Sequence, residues 1–362
     1  MNIAKSSGLS WQNIYQREIF NGRAMRAPTR RSKMKILIDA MGGDNAPLEI
    51  ILGAIAARDE FDVGIALVGR EDVICRLAEE QKLNLDGIEI FHAEDAIAMD
   101  DNPLDVRRKA DCSIRVGMEM LARGEVDAFV GAGSTGAMHL GSTLYVRRIS
   151  GIHRSAIATI IPLSTPMLLL DSGANTVVTP EHLVQFALMG SVYMKNIFNI
   201  ERPRIGLLNN GTERTKGTEL HIATYDLLNE HPHINFVGNI EGKQVPFDKC
   251  DVLVTDGFCG NILLKTIEGT ASFVLKKVRG VFMQNVFTKA GAVMYKASFG
   301  RIKKEFDATE YGGAPFLGIK HPVIKAQGSS NAKAIKSAVK QAISYVETGL
   351  IDEIATLNSS VE

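Results

Sequence analysis

Short apolar runs alternate with longer amphipathic stretches along the chain from Met34 onward. The runs are rich in Val, Ile and Leu and apolar throughout, which is typical of strands buried on both faces. The apolar positions of the intervening stretches recur with helical spacing and predict helices over 47–57, 71–81 and 111–123. This alternation predicts a three-layer α/β/α fold with a large, mixed but mostly parallel sheet. The predicted strands are 35–38, 65–68, 88–91, 126–130, 157–161, 167–170, 204–208, 234–237 and 252–255.

The first 33 residues differ from this pattern. They carry seven Lys and Arg residues against a single acid, Glu18. Such a basic segment is compatible with an organelle transit peptide. An over-extended start or a cloning remnant is the simpler interpretation, because Met34 directly precedes the first strand. We therefore expect one domain over 34–350, a basic extension over 1–33 outside the fold, and a C-terminal tail over 351–362.

Composition narrows the classes of function. Lys plus Arg and Asp plus Glu both total 41, so no long-range field favours nucleic acid as a partner. The four cysteines are scattered without a C-x-x-C pair, which disfavours a zinc site or a disulfide framework and favours a reducing cytosol. No apolar run reaches the roughly 18 residues of a membrane span. We expect a cytoplasmic enzyme.

Six of the predicted strands end in loops rich in Gly, Asp, Asn, Ser and Thr. In open α/β sheets the ligand binds beyond the carboxyl ends of the strands. Glycine lets backbone N–H groups approach an anion closely. One such loop is best explained as a tight turn, but six predict a shared polar cleft for a phosphate-like group. The loops are 39–44, 131–137, 171–175, 209–217, 238–242 and 256–261.

The loop that begins at Gly131 also fits the dinucleotide pattern G-x-G-x-x-G. That pattern requires an acid about 20 residues further on, whereas residues 147–154 are strongly basic. A nicotinamide cofactor is therefore weakly supported. The chain also lacks the G-x-x-x-x-G-K-[ST] motif of P-loop nucleotidases.

No nucleophile elbow or H-E-x-x-H motif is present. Cys259 is a possible reactive thiol and His139 a possible acid–base group. A small residue at a turn and a helix-packing histidine are the commoner explanations. Cations near the loops are abundant, which suits chemistry in which a bound anion is the nucleophile. These cations are Arg147, Arg148, Arg154, Lys216 and Lys265.

Residues 273–306 predict a basic amphipathic helical insertion, with apolar residues at helical spacing. Such a segment can dock an acidic protein or lie on an anionic membrane. An ordinary helix pair with a solvated basic face is the alternative. The contact candidates are Lys276, Lys277, Arg279, Lys289, Lys296, Arg301, Lys303 and Lys304.

The loops together carry a family resemblance. The motifs are D-A-M-G-G-D at 39–44, S-T-G-A at 134–137, D-x-G-A-N at 171–175, N-G-T-E at 210–213, D-G-F-x-G-N at 256–261 and G-G-A-P at 312–315. Over about 34–346 the chain resembles the PlsX family, the bacterial phosphate acyltransferases of phospholipid synthesis. Three positions depart from the family pattern: Cys112 and Gln327 replace a Ser and a His, and Arg214 replaces an acid.

The resemblance implies transfer of a long-chain acyl group from acyl carrier protein to inorganic phosphate. The product, an acyl phosphate, would feed a membrane-embedded glycerol-3-phosphate acyltransferase. The resemblance also implies a homodimer with a fold like isopropylmalate dehydrogenase and phosphotransacetylase. Because the product carries a long apolar chain, contact with the inner face of the plasma membrane is a further expectation.

The candidate site follows from both lines of reasoning. Asn175, Asn210 and Asn261 carry amides suited to an oxyanion, and Lys216 carries a cation suited to phosphate. We expect these four residues to be catalytic. A thiolate leaving group needs no strong general acid, and neither a cofactor nor a metal is expected. Further phosphate or thioester contacts are predicted at Asp39, Gly42, Gly43, Asp44, Gly133, Ser134, Thr135, Gly136, Arg154, Asp171, Glu213, Asp256 and Lys265.

Two alternatives stay open at this point. An NAD-dependent dehydrogenase on the related fold would need an acid for the ribose and a carboxylate cluster for a metal. A non-catalytic regulator that binds lipid or carrier protein would show carrier binding without phosphate-dependent loss of the thioester.

Overall fold

The computed structural model describes residues 33–163, 165–283 and 312–359. Eleven strands form one sheet within these residues. They are β1 (Lys35–Asp39), β2 (Gly64–Gly69), β3 (Ile88–His92), β4 (Ala128–Gly131), β5 (Ala156–Ile161), β6 (Met167–Leu170), β7 (Arg204–Asn209), β8 (Asn235–Glu241), β9 (Val252–Val254), β10 (Ala314–Leu317) and β11 (Val323–Lys325).

Helices cover both faces of this sheet. In chain order the α-helices of the described residues are α1 (Leu48–Glu60), α2 (Glu71–Glu80), α3 (Asp105–Arg108), α4 (Ser113–Ala122), α5 (Thr135–Gly141), α6 (Pro180–Phe198), α7 (Glu219–Glu230), α8 (Gly257–Phe282), α9 (Ala332–Glu347) and α10 (Leu350–Ser359). A π-helical turn (Ser142–Val146) continues α5, and a 3₁₀ helix (Gly242–Phe247) follows β8.

The sheet consists of two parallel halves that run in opposite directions. Its strand order is β3-β2-β1-β4-β11-β10-β5-β6-β9-β7-β8. The strands from β3 to β11 are parallel to one another, as are those from β6 to β8. The reversal occurs at the centre, where β10 is antiparallel to both of its neighbours and β5 is antiparallel to β6.

Alternation along the strands builds a core on each face of the sheet. In β1, Ile36 and Ile38 belong to the core under α1 and α9, whereas Leu37 belongs to the core under α4. In β9, Val252 packs towards α6 and Leu253 packs towards α8. Both faces of every central strand are therefore buried, which explains why the strand sequences are apolar throughout.

The predicted three-layer α/β/α class and the mixed, mostly parallel sheet are confirmed. The strands β10 and β11 were not predicted, because glycines and prolines interrupt or flank their short apolar runs. Residues 351–359, expected as a tail, are instead helical: α10 buries Ile354, and Glu353 pairs with Lys195 of α6 at 2.9 Å.

Two predicted segments lie wholly or partly outside the described residues. Residues 1–32 of the basic extension lie outside the described residues. Of the predicted insertion, residues 273–282 form the last turns of α8 and 284–306 are outside. Within the described residues, no helix is both long and apolar enough to cross a membrane.

Candidate active site

The carboxyl ends of β1, β4 and β11 lie side by side, because these strands are parallel neighbours in the sheet. Their last residues are Asp39, Gly131 and Lys325. The loops that follow these strands therefore meet at one edge of the sheet. We call them the first loop cluster, made of residues 39–44, 131–137 and 325–328.

Backbone atoms of the first loop cluster are in direct contact. A Cβ atom added to Gly42 would lie only 2.7 Å from the backbone nitrogen of Gly133. Gly43 has a φ of 109°, and its added Cβ would lie 3.0 Å from the carbonyl oxygen of Gly328. The N–H of Asp44 donates to that same carbonyl at 2.8 Å. These glycines are required by close packing between the loops, so loop packing explains their presence without a ligand.

Asp39 lies buried at the base of this cluster, with 1% of its surface exposed. Its Oδ1 accepts a hydrogen bond from the N–H of Met41 at 3.1 Å. Its Oδ2 has no hydrogen-bond partner among the described residues. Burial raises the pKa of Asp39, and the nearby Ser113 hydroxyl, the backbone of Met41 and Gly42 and the charge of Lys325 oppose this rise.

Lys325 is a second buried ionisable group in the cluster, and sequence reasoning did not single it out. Only 8% of its surface is exposed. Its Nζ donates to the carbonyl of Ala132 at 3.2 Å and to the carbonyl of Ala326. Burial lowers the pKa of Lys325 from its ordinary 10.5 to about 8, while the charges of Asp44 and Asp39 oppose this shift. It could not be placed from the sequence because β11 was not predicted.

The predicted anion loop between β4 and α5 is largely covered by protein. Ser134 is buried and precedes the first turn of α5, followed by the half-buried Thr135. A Cβ atom added to Gly136 would lie 2.7 Å from Cγ of Pro103. The smallness of Gly136 therefore lets the segment before α3 pack on this loop.

A second loop cluster lies at the carboxyl ends of the other half, where β6, β9 and β7 are parallel neighbours. Asp171, the first residue after β6, is fully buried. Its Oδ2 accepts from the N–H of Asn175 at 2.7 Å. Five hydrogen bonds thus saturate this carboxylate, which shapes the loop instead of contacting a substrate. The other donors are the N–H groups of Ile157, Gly173 and Ala174 at 3.0–3.1 Å and the Asn175 side chain at 2.8 Å.

Asn175 was predicted to stabilise an oxyanion, and its hydrogen bonds contradict this role. Its Nδ2 donates to the carbonyl of Ser155 at 2.7 Å and to Oδ2 of Asp171 at 2.8 Å. Both partners are pure acceptors, so the orientation of the amide is fixed and both of its hydrogens are engaged. Asn175 is buried and holds the loop in place.

The start of α8 closes the second loop cluster. Oδ1 of Asp256 caps the helix and accepts from the N–H groups of Phe258 and Cys259, both at 2.9 Å. Asp256 is therefore the N-cap residue of α8. Burial, together with Asp256, raises the pKa of Cys259 to about 11. Its thiol is protonated at neutral pH, which disfavours a nucleophilic role.

Asn261 keeps a donor available at this position. It is exposed on the first turns of α8, and its Nδ2 donates to the carbonyl of Ser172 at 3.2 Å. The second amide hydrogen has no partner among the described residues. Lys265 follows four residues later and therefore lies on the same face of the helix. Its Nζ contacts Glu268 at 2.7 Å in an exposed ion pair.

The loop after β7 presents Asn210 and Lys216. The side chain of Asn209 organises it: Nδ2 donates to the carbonyl of Lys216 at 3.1 Å, and Oδ1 accepts from the N–H of Asn210 at 2.8 Å. Asn210 and Lys216 are both exposed. Within the described part of the chain, Lys216 makes no ion pair. Its ammonium group is therefore open to an anionic ligand.

Glu213 lies on the same loop and is exposed. Its carbonyl accepts from Nδ2 of Asn239 at the end of β8, at 2.9 Å. Its carboxylate and the aliphatic part of Lys216 flank Gly211, where an added Cβ would lie 3.0 Å and 2.7 Å from them. Glycine at 211 leaves room for the side chain of Lys216.

His139 links α5 to the second loop cluster. Its Nε2 lies 3.0 Å from Oγ of Ser155, and its ring stacks on Phe316 with centroids 5.7 Å apart. Burial lowers the pKa of His139. The charge of the exposed Arg154 lowers this pKa further, whereas the charge of Asp171 raises it. The imidazole is therefore a neutral packing group. Arg154 itself is exposed at the start of β5, near this junction.

The prediction of one cleft that all six loops share is wrong. The loop clusters lie at the ends of half-sheets that run in opposite directions. They therefore lie at opposite edges of the sheet. Helix α8 begins at the second loop cluster and carries Lys265, whose charge acts on Lys325 and lowers its pKa further. The gap between Lys325 and the Asn261–Lys265 face of α8 is therefore the candidate active site.

Three of the predicted carrier or membrane contacts are described. Lys276, Lys277 and Arg279 are exposed on α8 beyond Lys265. Lys277 lies over the ring of Phe273, 5.6 Å from its centroid. The other five candidates lie outside the described residues: Lys289, Lys296, Arg301, Lys303 and Lys304.

Solved structures with this architecture define the class of fold. A phosphotransacetylase from Streptococcus pyogenes superposes with a TM-score of 0.60 at 16% identity, over 96% of this chain and 99% of that one. The EutD phosphotransacetylase from Staphylococcus aureus superposes with a TM-score of 0.56 at 14% identity, over 94% of this chain and 97% of that one. A 4-hydroxythreonine-4-phosphate dehydrogenase from Klebsiella pneumoniae superposes with a TM-score of 0.52 at 11% identity, over 87% of this chain and 100% of that one. The chain thus has the fold that phosphotransacetylases and these dehydrogenases share.

Sequence similarity narrows this class to one family. The family model described as "Fatty acid synthesis protein" matches residues 34–353. The phosphate acyltransferase of Thermoanaerobacterium thermosaccharolyticum is 46% identical over 323 residues, 89% of this chain and 96% of that protein. That of Thermoanaerobacter pseudethanolicus is 46% identical over 324 residues, again 89% and 96%. The chain belongs to the PlsX family of phosphate acyltransferases and is an acyltransferase. The dehydrogenase and the non-catalytic regulator are set aside.

Proposed function

We propose that the chain transfers a long-chain acyl group from the thioester of acyl carrier protein to inorganic phosphate, and that the phosphate itself attacks the thioester. The observation that carries this proposal is the open amide hydrogen of Asn261, on the face of α8 that also holds Lys265. An oxyanion donor and cations line one gap, and the Cys259 thiol at the start of α8 is protonated. This arrangement suits attack by a bound anion.

The reaction balances without a protein nucleophile. A phosphate oxygen forms a bond to the acyl carbon, and the carbonyl oxygen becomes an oxyanion that Asn261 stabilises. The carbon–sulfur bond then breaks, and the carrier thiolate takes the proton of hydrogen phosphate. Lys216 holds the phosphate charge from the loop after β7. Asn210, exposed beside Lys216, is a second candidate donor for the oxyanion.

The acyl donor and the cellular setting belong to the same proposal. Acyl carrier protein is acidic, and the exposed cations Lys276, Lys277 and Arg279 on α8 give it a complementary surface. The same basic surface suits anionic lipid, so the enzyme would act as a cytoplasmic homodimer that contacts the membrane surface. There its product would reach a membrane-embedded glycerol-3-phosphate acyltransferase.

Lys216→Ala tests the phosphate half of the proposal. Loss of one charge-assisted hydrogen bond is worth roughly 1.5–3 kcal/mol, so we expect the KM for phosphate to rise roughly ten- to hundred-fold. The assay mixes the protein with acyl carrier thioester, varies phosphate and follows the released thiol with a chromogenic reagent. Arg214→Ala is the matched control, because Arg214 is on the same loop but pairs with Asp226 at 2.7 Å.

The outcomes separate the parts of the proposal. Thiol release that requires phosphate and yields acyl phosphate supports the reaction. Thioester loss without a phosphate requirement would overturn it. Wild-type phosphate saturation in Lys216→Ala would remove Lys216 from the site while leaving the reaction in place.

A further inference from the structure

Lys325 is a buried cation that the proposed mechanism has not used. It ends β11, between the loop that follows β4 and the chain that continues to Gly328. No carboxylate forms an ion pair with it among the described residues, although Asp39 and Asp44 lie near enough to act on its charge. Burying an unpaired charge is costly, and folds retain such groups mainly at functional sites.

The hydrogen bonds of this ammonium group leave one of its hydrogens open. An ammonium has three hydrogens, and two of them are engaged by the carbonyls of Ala132 and Ala326. The third has no partner within the described residues. Lys265, which acts on Lys325 from across the gap, lies on the Asn261 face of α8. Two like charges facing one gap repel each other, and a bound anion relieves that repulsion.

We propose that Lys325 is a phosphate-binding residue of this active site, whose third N–H donates to inorganic phosphate held between the first loop cluster and the Asn261–Lys265 face of α8. This inference rests on the proposed function and adds a residue to it. Lys325 contacts the phosphate from the first half of the sheet. Lys216 and Asn261, which contact the phosphate and the carbonyl oxygen, belong to the other half.

A purely structural role for Lys325 and a role in phosphate binding predict different responses to pH. A neutral amine keeps two hydrogens, which is enough for both carbonyl bonds, so a purely structural role survives deprotonation. Phosphate binding needs the positive charge and the third hydrogen. The charged groups that act on Lys325 are Asp39 of β1, Asp44 of the following loop and Lys265 of α8.

The test measures the KM for phosphate by thiol release, and the Kd for inorganic phosphate by calorimetry, between pH 7 and 9.5. Lys325→Met keeps most of the unbranched side chain and removes the ammonium group with its charge. We expect its KM and Kd for phosphate to rise roughly ten- to hundred-fold at pH 7, with a smaller change in kcat. The control is Lys320→Met, an exposed lysine on the β10–β11 connection, which should match the wild type.

The pH profile of the wild type needs no variant and keeps the inference testable if Lys325→Met does not fold. Inorganic phosphate is already a dianion near pH 8, so its affinity for the wild type should fall as Lys325 loses its proton above about pH 8. A folded Lys325→Met should lack this fall.

Unchanged phosphate affinity in Lys325→Met, or a wild-type affinity that stays flat from pH 7 to 9.5, would overturn the inference and leave the proposed function standing. A wild type that neither binds phosphate nor needs it for thiol release would overturn both.

Discussion

The contact between Gly42 and Gly133 offers a direct test of the first loop cluster. A methyl group at position 42 would lie 2.7 Å from the nitrogen of Gly133, 2.8 Å from its Cα and 2.6 Å from Oδ2 of Asp39. Two of these atoms are backbone atoms, which cannot turn aside as a side chain can. Gly42→Ala must therefore push the loop after β1 away from the loop after β4.

The size of this displacement follows from the distances. Ordinary contact begins at 3.4 Å, so the loops must separate by about 0.7 Å. Overpacking of this kind costs typically about 1–3 kcal/mol of stability. A misplacement of about 1 Å reduces catalysis by roughly a hundred-fold. We expect kcat/KM for phosphate to fall by roughly ten- to hundred-fold, because Lys325 is tied to the Gly131 loop through Ala132.

The assay compares thiol release at varied phosphate, and urea unfolding, for the wild type and two glycine variants. Gly280→Ala is the matched control, because an added Cβ at this exposed position near the end of α8 meets nothing within 4 Å. The same chemical change should there stabilise the helix by roughly 0.5–1 kcal/mol and leave activity unchanged.

The reasoning is refuted if Gly42→Ala folds and keeps the wild-type kcat/KM for phosphate. It would then follow that the first loop cluster lies outside the active site. A parallel loss of activity in Gly280→Ala would instead show that the assay responds to changes far from the loops.

Two further predictions concern the start of α8. Asp256→Ala removes the acceptor of two backbone hydrogen bonds. It should lower the free energy of unfolding by roughly 0.5–2 kcal/mol in urea, whereas Asp256→Asn should retain most of it. Cys259→Ala should keep kcat within about two-fold of the wild type, and Cys259 should react slowly with iodoacetamide at pH 8, because burial and Asp256 raise its pKa to about 11. Loss of activity in Cys259→Ala at unchanged stability would contradict that second prediction.

The apolar runs predicted nine of the strands, because a strand buried on both faces must be apolar throughout. The same reasoning missed Ala314–Leu317 and Val323–Lys325, which are too short to stand out beside the glycines and prolines around them. The direction of each strand could not be predicted from the sequence either. An apolar run such as Met167–Leu170 is the same whether its neighbour is parallel or antiparallel, so the reversal at β5 and β6 had no signal in the sequence.

Residue type identified which side chains suit the chemistry but not which ones are available for it. Asn175 and Asn261 are both amides in loops that follow buried strands. The structure shows that Ser155 and Asp171 take both hydrogens of Asn175, whereas Asn261 keeps one. Which acceptors surround a side chain depends on contacts between segments distant in sequence, and no local pattern encodes them. Lys325 was missed for the same reason, because its burial depends on the loop of a neighbouring strand.

In the mechanism that we propose, the opposed half-sheets supply different groups to a reaction that uses no nucleophilic side chain. Direct attack requires the two reactants to be held within contact distance in the correct orientation. Here the first loop cluster carries Lys325 at the end of β11, and α8 carries Asn261 beyond β9. Since β10, β5 and β6 lie between these two elements in the sheet, its antiparallel centre sets the spacing between the proposed phosphate-binding lysine and the proposed oxyanion donor.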